Sequence, residues 1–399
     1  MKKSLFIIAI AFIAVSLSTI SCEKNNTEKP GPEVPGGDTT EVEEPVEIES
    51  ISVDPTSAEM LIGDNLTLTV TVLPENAEVE NISYTSDDTS IATVDENGTV
   101  TATGSGRTSI FVESANVKDT CVVQVYGGNK FPSQATVGDF YLSDGSLLDV
   151  STDAATVASH DVIGIVYSTD TTRMGAAEKQ ALIDKGIEPH GSVMATKHVG
   201  DITYSNMWFY DAATQGWDRD EREIGIPYAY VVDDYYASYE LSDADIDGYL
   251  YTKLIQEERA ADYEAGYYPI FKDAVDFNET VAAPETSTGW YLPATGQWFD
   301  ILRNLAGATL NTTSSFFDGE TGNFFWLGKG DVPELMNANF EKVADDDKTM
   351  FDPVTNQLWT SSQASSNQAR VIIFDNASFI HSFWYYKYYY FGARCVLGF

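Results

Sequence analysis

Nine of the thirteen residues from Phe379 to Phe391 (FIHSFWYYKYYYF) are aromatic. A β-strand sends successive side chains to opposite faces, so one core can take only about half of them. The run therefore cannot be an ordinary surface strand, and several of its rings must face solvent or a partner. Tyrosine gives large, stiff, amphipathic contact area at low entropy cost, and exposed aromatic clusters mark contact sites. A second reading keeps Phe383, Trp384 and Phe391 in the core and leaves the tyrosines merely covering a groove.

Charge sharpens the contrast. The 399 residues carry 23 Lys and Arg against 61 Asp and Glu, a net charge of −38. Nucleic-acid binding depends on neutralising phosphates, so this balance excludes it, and anionic lipid headgroups are disfavoured likewise. The last 41 residues depart from the rest. Trp359 to Phe399 hold one acid, Asp375, against Arg370, Lys387 and Arg394, which sums to +2. The stretch spared of acids is also the aromatic one.

The chain opens on Lys2 and Lys3, an apolar run from Leu5 to Val15, and small residues before Cys22. Residues 1–21 read as a secretory signal, too short and wrongly flanked for a permanent membrane span. With Cys22 at the cut, the segment resembles a bacterial lipoprotein signal, although Thr19 stands where Leu is commoner. The resemblance implies lipidation of Cys22 and a lipid-anchored position at the outer membrane or cell surface. An ordinary cleaved signal is the alternative. Residues 22–46 carry four Pro, three Gly and almost no large apolar side chain. They cannot bury enough surface to fold and read as an acidic tether.

Residues 47–126 read as short strands. Leu66, Leu68, Val70 and Val72 alternate with threonines as one strand, and Ile91–Val94 and Thr99–Ala102 flank an Asn97-Gly98 hairpin turn. About seven strands in 80 residues predict an immunoglobulin-like sandwich. The pieces Ile51-Ser-Val-Asp-Pro55, Ile62-Gly63-Asp64, Val72-Leu-Pro74 and Val94-Asp-Glu-Asn-Gly98-Thr-Val100 resemble the bacterial Ig-like group 2 family. That resemblance implies an extracellular spacer module.

Residues 127–399 mix helix and strand signals, so the fold class is a β-sandwich followed by a larger α+β domain. Val162 to Tyr167 reads as a fully buried strand. Helices are expected over Glu178–Lys185, Leu250–Ala261 and Ile270–Asn278, and from Thr295 to a stop at Gly307. In the last of these, Trp298, Ile301, Leu302 and Leu305 make a single apolar face. The segments GWYLPATGQWFDIL, FFWLGKG, LWTSSQASSNQAR and ARCVLGF resemble C-type-lectin-fold domains of Bacteroidetes surface proteins, whose last strands are diversified by a retroelement. The resemblance implies a displayed binding protein with its variable site in the C-terminal segment. The site residues would be Asn367, Val371, Ile373, Phe379, His381, Phe383, Tyr385, Tyr386, Tyr388, Tyr389 and Tyr390. Trp359, Ser361, Ser362, Arg370, Trp384, Arg394 and Cys395 would be scaffold. The ligand would be a protein or other macromolecule on another cell, a phage or a host, with membrane contact only through the N-terminal lipid.

Other constellations are weaker. Asp243, Asp245, Asp247 and Gly248 have the opening spacing of a calcium loop, but the twelfth position is Leu254 instead of Glu. Asp318–Gly322 and Asp345–Asp347 read as solvated acidic turns. No cofactor is expected. The chain lacks CxxC and HExxH, and its four His are scattered. Cys121 and Cys395 read as two buried free thiols, with a bridge between them as the alternative. His381 has no Ser or Cys partner placed by a motif, so catalysis is not expected. Two other roles stay open: structural or tip subunit of a surface fibre, and glycan-binding protein.

Overall fold

Alternating β-branched residues broken by turn signals drive the first module into extended pairs. The computed structural model describes residues 46–79, 81–199, 206–231, 235–310, 324–327, 332–352, 357–374 and 379–399. The signal 1–21, Cys22, the tether up to residue 45 and the acidic turn Asp318–Gly322 lie outside them. Nine strands build the module: β1 (Ser50–Asp54), β2 (Ser57–Leu61), β3 (Asn65–Thr67), β4 (Thr69–Leu73), β5 (Ser83–Ser86), β6 (Ala92–Val94), β7 (Thr99–Ala102), β8 (Gly106–Ser114) and β9 (Val117–Tyr126). They pair as β1-β4, β3-β7-β6 and β2-β9-β8-β5, around a core of Ile51, Val53, Leu68, Val100, Ile110, Val112 and Val123.

The Asn97-Gly98 turn closes as expected. Asp95 accepts from the Asn97 and Thr99 amides at 2.9 and 2.8 Å, and Gly98 sits at φ +75° with Tyr84 against it. The single strand expected over Leu66–Val72 is in fact two. The chain leaves β7 and crosses to β1 at Leu68, whose amide bonds the Gly98 carbonyl at 2.9 Å and whose side chain is buried. Period-two alternation persists through such a crossing, so it is silent about it.

The first residues of the second module fold back onto it, and across the junction the Tyr126 ring meets Phe131 at 6.0 Å. The Gly127 amide donates to Asp144 at 2.6 Å, Gly128 to Ser146 at 2.8 Å, and Asn129 to the Leu147 carbonyl at 2.9 Å. In chain order its elements are β10 (Phe140–Leu142), β11 (Leu147–Leu148), α1 (Ala154–Ala158), β12 (Val162–Ser168), α2 (Ala176–Asp184) and β13 (Ser192–Ala195). Five helices follow: α3 (Tyr235–Ala244), α4 (Gly248–Glu258), α5 (Ala260–Glu264), α6 (Pro269–Thr280) and α7 (Thr295–Ala306). Last come β14 (Thr309–Leu310), β15 (Phe324–Leu327), α8 (Val332–Ala338), β16 (Gln357–Gln363), β17 (Gln368–Phe374), β18 (Phe379–Tyr386) and β19 (Val396–Gly398).

Two five-stranded sheets result, β11-β10-β12-β13-β19 and β14-β15-β18-β17-β16. Helix α7 packs against one face of each, through Trp298, Phe299, Ile301 and Leu302, facing Ile165 on the first sheet and Ile372 and Ile380 on the second. Helices α4 and α6 cover the opposite faces, where Ile163, Val166, Trp359 and Val371 lie. Covered on both sides, β12 is buried along its whole length. The single apolar stripe expected on α7 is too narrow for the same reason, since ten of its twelve residues are buried. Cys121 and Cys395 are buried free thiols.

A close backbone crossing fixes α7 at its start. The Gly296 amide donates to the Asp245 carbonyl at 2.7 Å, and a Cβ there would fall 2.5 Å from the Asp243 carbonyl oxygen and 2.6 Å from that of Asp245. Backbone atoms cannot rotate away as a flexible side chain would. Gly296→Ala should therefore cost about 1–3 kcal/mol, read as a lowered urea midpoint. An unchanged midpoint would mean that the crossing relaxes freely.

Candidate functional site

The site is built where β18 ends and the chain turns back. β18 pairs with β17 on one side (Ala369 with Tyr385, Gln368 with Tyr386) and with β15 on the other. The turn after it is held from beneath by Lys387, which is fully buried. Its ammonium donates to the Arg219 carbonyl at 2.8 Å and to Gln363 Oε1 at 3.1 Å, and lies 4.3 Å from the Trp208 ring. Burial pulls its pKa down to about 7, against the opposing pull of Glu221, Asp220 and Asp218. Gln363 in turn accepts from the Glu221 amide at 3.3 Å and donates to the Ile226 carbonyl at 2.6 Å. Glu221, also buried, pairs with Arg259 at 2.9 Å and accepts from Tyr268.

With Lys387 turned inward, its neighbours turn out. Tyr386, Tyr389 and Tyr390 are 39%, 40% and 61% exposed, and Trp217 from the 206–231 loop is 37% exposed. Among the side chains whose burial is described, these four are the exposed aromatic ones. Half-buried Tyr388 joins them, its ring 4.6 Å from Trp217, 5.8 Å from Tyr386 and 4.9 Å from Tyr389. Tyr389 stacks on Phe391 at 6.0 Å, and Phe391 meets buried Trp359 at 4.9 Å. These are favourable ring separations. A continuous aromatic chain thus runs from the core to the surface.

The expected site residues divide accordingly. Tyr386, Tyr388 and Tyr389 come together with Trp217 at the tip, and exposed Tyr390 is the next residue in the chain. Tyr385 is half-buried, packed on the core and 5.0 Å from Phe391. Phe383 is half-buried beside Tyr385 at 5.3 Å. Asn367 lies in the β16–β17 turn, where its carbonyl accepts the Lys387 amide at 3.0 Å. Val371 is a correction: it is completely buried in the core beneath α4 and α6 and offers no contact surface. Its neighbour two positions on, Ile373, is partly buried against the same core. Alternation places both on one face of β17, and that face is covered. The side chains of Phe379 and His381 lie outside the described residues; their backbones pair with Leu327 and with Ile373 and Phe325.

The positive balance of the last 41 residues also takes a different meaning. Arg370, Lys387 and Arg394 are all completely buried. Arg370 donates through Nη2 to the Ala229 carbonyl at 2.7 Å. Arg394 donates to the carbonyls of Ala195, Thr196 and Thr349 at 3.0, 2.5 and 2.6 Å. The three cations hold loops onto strands and leave the aromatic tip without a positive charge of its own.

Trp217 escaped sequence reasoning. It follows a tight polar turn, with Asp211 and Gly216 paired across it, and contacts between distant segments bring that loop to the tip: the Arg219 amide bonds the Ser366 carbonyl at 2.8 Å and the Trp208 amide the Lys387 carbonyl at 2.9 Å. No local signal encodes this contact.

The carboxylates of the candidate calcium loop part company. Asp243 pairs with Arg303 at 2.6 Å, and Asp245 accepts from the Tyr251 hydroxyl at 2.7 Å. Asp247 caps α4 through its carbonyl, which accepts the Tyr251 amide at 2.9 Å. Among the described residues no three His, Cys, Asp or Glu side chains are gathered for a metal, and no helix is long and apolar enough to cross a membrane.

Comparison with known proteins bears chiefly on the first module. Residues 47–125 match the family model of the bacterial Ig-like domain (group 2), so a domain of that family is present. An uncharacterized protein of Clostridium acetobutylicum is 34% identical over 90 residues, 21% of this chain and 23% of that protein. The chain thus spans less than a quarter of the length of the curated relative it matches. Among solved structures, a fimbrial protein from Bacteroides ovatus aligns over 88% of this chain and 70% of its own, at 15% identity and a TM-score of 0.43. Domains 4 and 5 of the S-layer protein SbsC align over 21% of this chain and 54% of theirs, at 29% identity and a TM-score of 0.19.

Proposed function

We propose that the chain is a lipid-anchored protein displayed at the bacterial outer membrane. Its Ig-like module spaces a C-type-lectin-like domain from the surface, and the aromatic tip of that domain binds a protein or other macromolecular ligand. The observation that carries this reading is the ring cluster of Trp217, Tyr386, Tyr388 and Tyr389, three of them exposed, with exposed Tyr390 next in the chain. The signal-like N-terminus, with Cys22 at its end, supports display. The burial of the motif residues Trp290, Tyr291, Trp298 and Trp359 supports a packed frame that carries the exposed face. The domain acts by binding, without chemistry.

A second reading has a specific observation in its favour. A patch of stacked tyrosines could equally cover a neighbouring copy, as in a fibre subunit. Sedimentation of the mature chain separates the two. A monomer at micromolar concentration, unchanged when Tyr386, Tyr388, Tyr389 and Tyr390 are all replaced by Ser, is the expected result. Concentration-dependent assembly abolished by those substitutions would transfer the patch to the fibre reading. For diversification, the expected companion is a nearby DNA repeat that differs at adenines, beside a reverse transcriptase gene. Without it, diversification is dropped and the binding face stays.

A further inference from the structure

Resting on the reading of the tip as a binding face, we infer that its ligand is cationic: a basic, arginine-bearing segment of a protein partner, seated over Trp217, Tyr386 and Tyr389. Exposed aromatic rings attract guanidinium and ammonium groups. The tip carries no cation to repel them, because Arg370, Lys387 and Arg394 are turned into the core.

The flanking loop adds attraction. Of the acids in residues 211–223, Glu221 is buried against Arg259, Glu223 pairs with Arg259 at 3.0 Å and Asp220 with Arg222 at 2.5 Å, while Arg219 pairs with Asp262 at 2.6 Å. Asp218, directly after Trp217, is exposed. A chain with a net charge of −38 adds long-range steering of the same sign. An anionic ligand would meet acids at the rim and nothing positive at the centre.

The same pairing chemistry already recurs inside the domain. Arg222 lies 4.0 Å from the Tyr228 ring, Lys387 4.3 Å from Trp208, and Arg394 4.4 Å from Phe351. Arginine is the better partner for the tip, since its flat guanidinium can stack on successive tyrosines while donating to Asp218.

Titration calorimetry on the mature chain, with oligoarginine, oligoglutamate and a neutral oligosaccharide as probes, tests the inference. Oligoarginine should bind, oligoglutamate should not, and affinity should fall as salt rises. Trp217→Ala and Tyr389→Ser should each weaken oligoarginine about two- to fivefold, while Asp218→Asn should weaken it and flatten the salt dependence. Both altered rings also pack on Tyr388, so a slightly lowered thermal midpoint with a retained cooperative transition should accompany the loss. Oligoarginine binding indifferent to both ring substitutions would be mere attraction to an acidic chain and would overturn the inference. Absent oligoarginine binding would overturn it too. If the neutral oligosaccharide binds in its place and needs Trp217, the cationic ligand is wrong while the binding-face reading survives. Tyrosine-dependent self-assembly in sedimentation would remove both.

Discussion

Replacing Arg394 by Ala is expected to lower the unfolding free energy by about 3–5 kcal/mol, from the buried acceptors left without their donor. The side chain is completely buried and reaches three carbonyls on two separate segments, Ala195 and Thr196 beside β13 and Thr349 before β16. Its guanidinium also lies 4.4 Å from the Phe351 ring. Burial brings its pKa down to about 9, so it remains charged at neutral pH. Truncation removes the donors and leaves a cavity together. Arg394→Lys should recover only part of the loss, because a single ammonium cannot span the forked acceptors. Urea unfolding followed by tryptophan fluorescence reads both variants. A loss below about 1 kcal/mol for the Ala variant would mean that the cost of burying the charge had cancelled its bonds.

The second large effect is a pH dependence. Glu178 in α2 is buried, with one carboxylate oxygen accepting from the Tyr291 hydroxyl at 2.6 Å. Tyr291 is held in turn by Gln297 Nε2 at 2.7 Å. Burial is the main cause that pushes the Glu178 pKa up to about 7 from its ordinary 4.5, with Asp247 adding to it. Between those two values the unfolded chain ionises this group while the folded chain keeps its proton. Stability contributed by the protonated acid is thus full below pH 4.5 and declines as pH rises, the loss being complete above pH 7. Its size is on the order of 3 kcal/mol. Glu178→Gln keeps the shape and cannot ionise, so it should overtake the parent above neutrality. The quantity to measure is the difference between the two proteins across pH. Asp245, pushed up to about 6 by burial, imposes its own slope, but on both. A difference that stays flat from pH 4.5 to 7 would sink the assignment.

Much of this architecture could be read from the sequence because the decisive signals were local. Helix α7 announces itself through Trp298, Ile301, Leu302 and Leu305 and stops at Gly307, which takes the left-handed conformation. The Asn97-Gly98 turn and the buried strand at Val162 are local in the same sense. The misses share a different cause. The crossing at Leu68, the burial of Val371 and the approach of Trp217 to Tyr388 all depend on which distant segment lies opposite. Val371 and Ile373 match the variable-residue pattern of the resembling family, yet α4 and α6 cover that face of β17. Charge was the subtlest case. Of the three cations in the acid-poor segment, Arg370 and Arg394 are buried as the scaffold reading expects, and Lys387, which that reading leaves unassigned, is buried with them.

The inward turn of Lys387 separates two duties along one short stretch of chain. The lysine and the glutamine beneath it hold the turn, while Tyr386, Tyr389 and Tyr390 stay partly open to solvent. Exchanging Tyr390 should shift folding free energy by no more than about 0.5 kcal/mol, whereas Tyr386 and Tyr389 also give up ring contacts of about 0.5–1.5 kcal/mol each. Recognition can then change without renegotiating foldedness. That is the economy of an interchangeable bit in a fixed chuck: exposed positions on either side of Lys387 can be rewritten, provided the lysine is left alone.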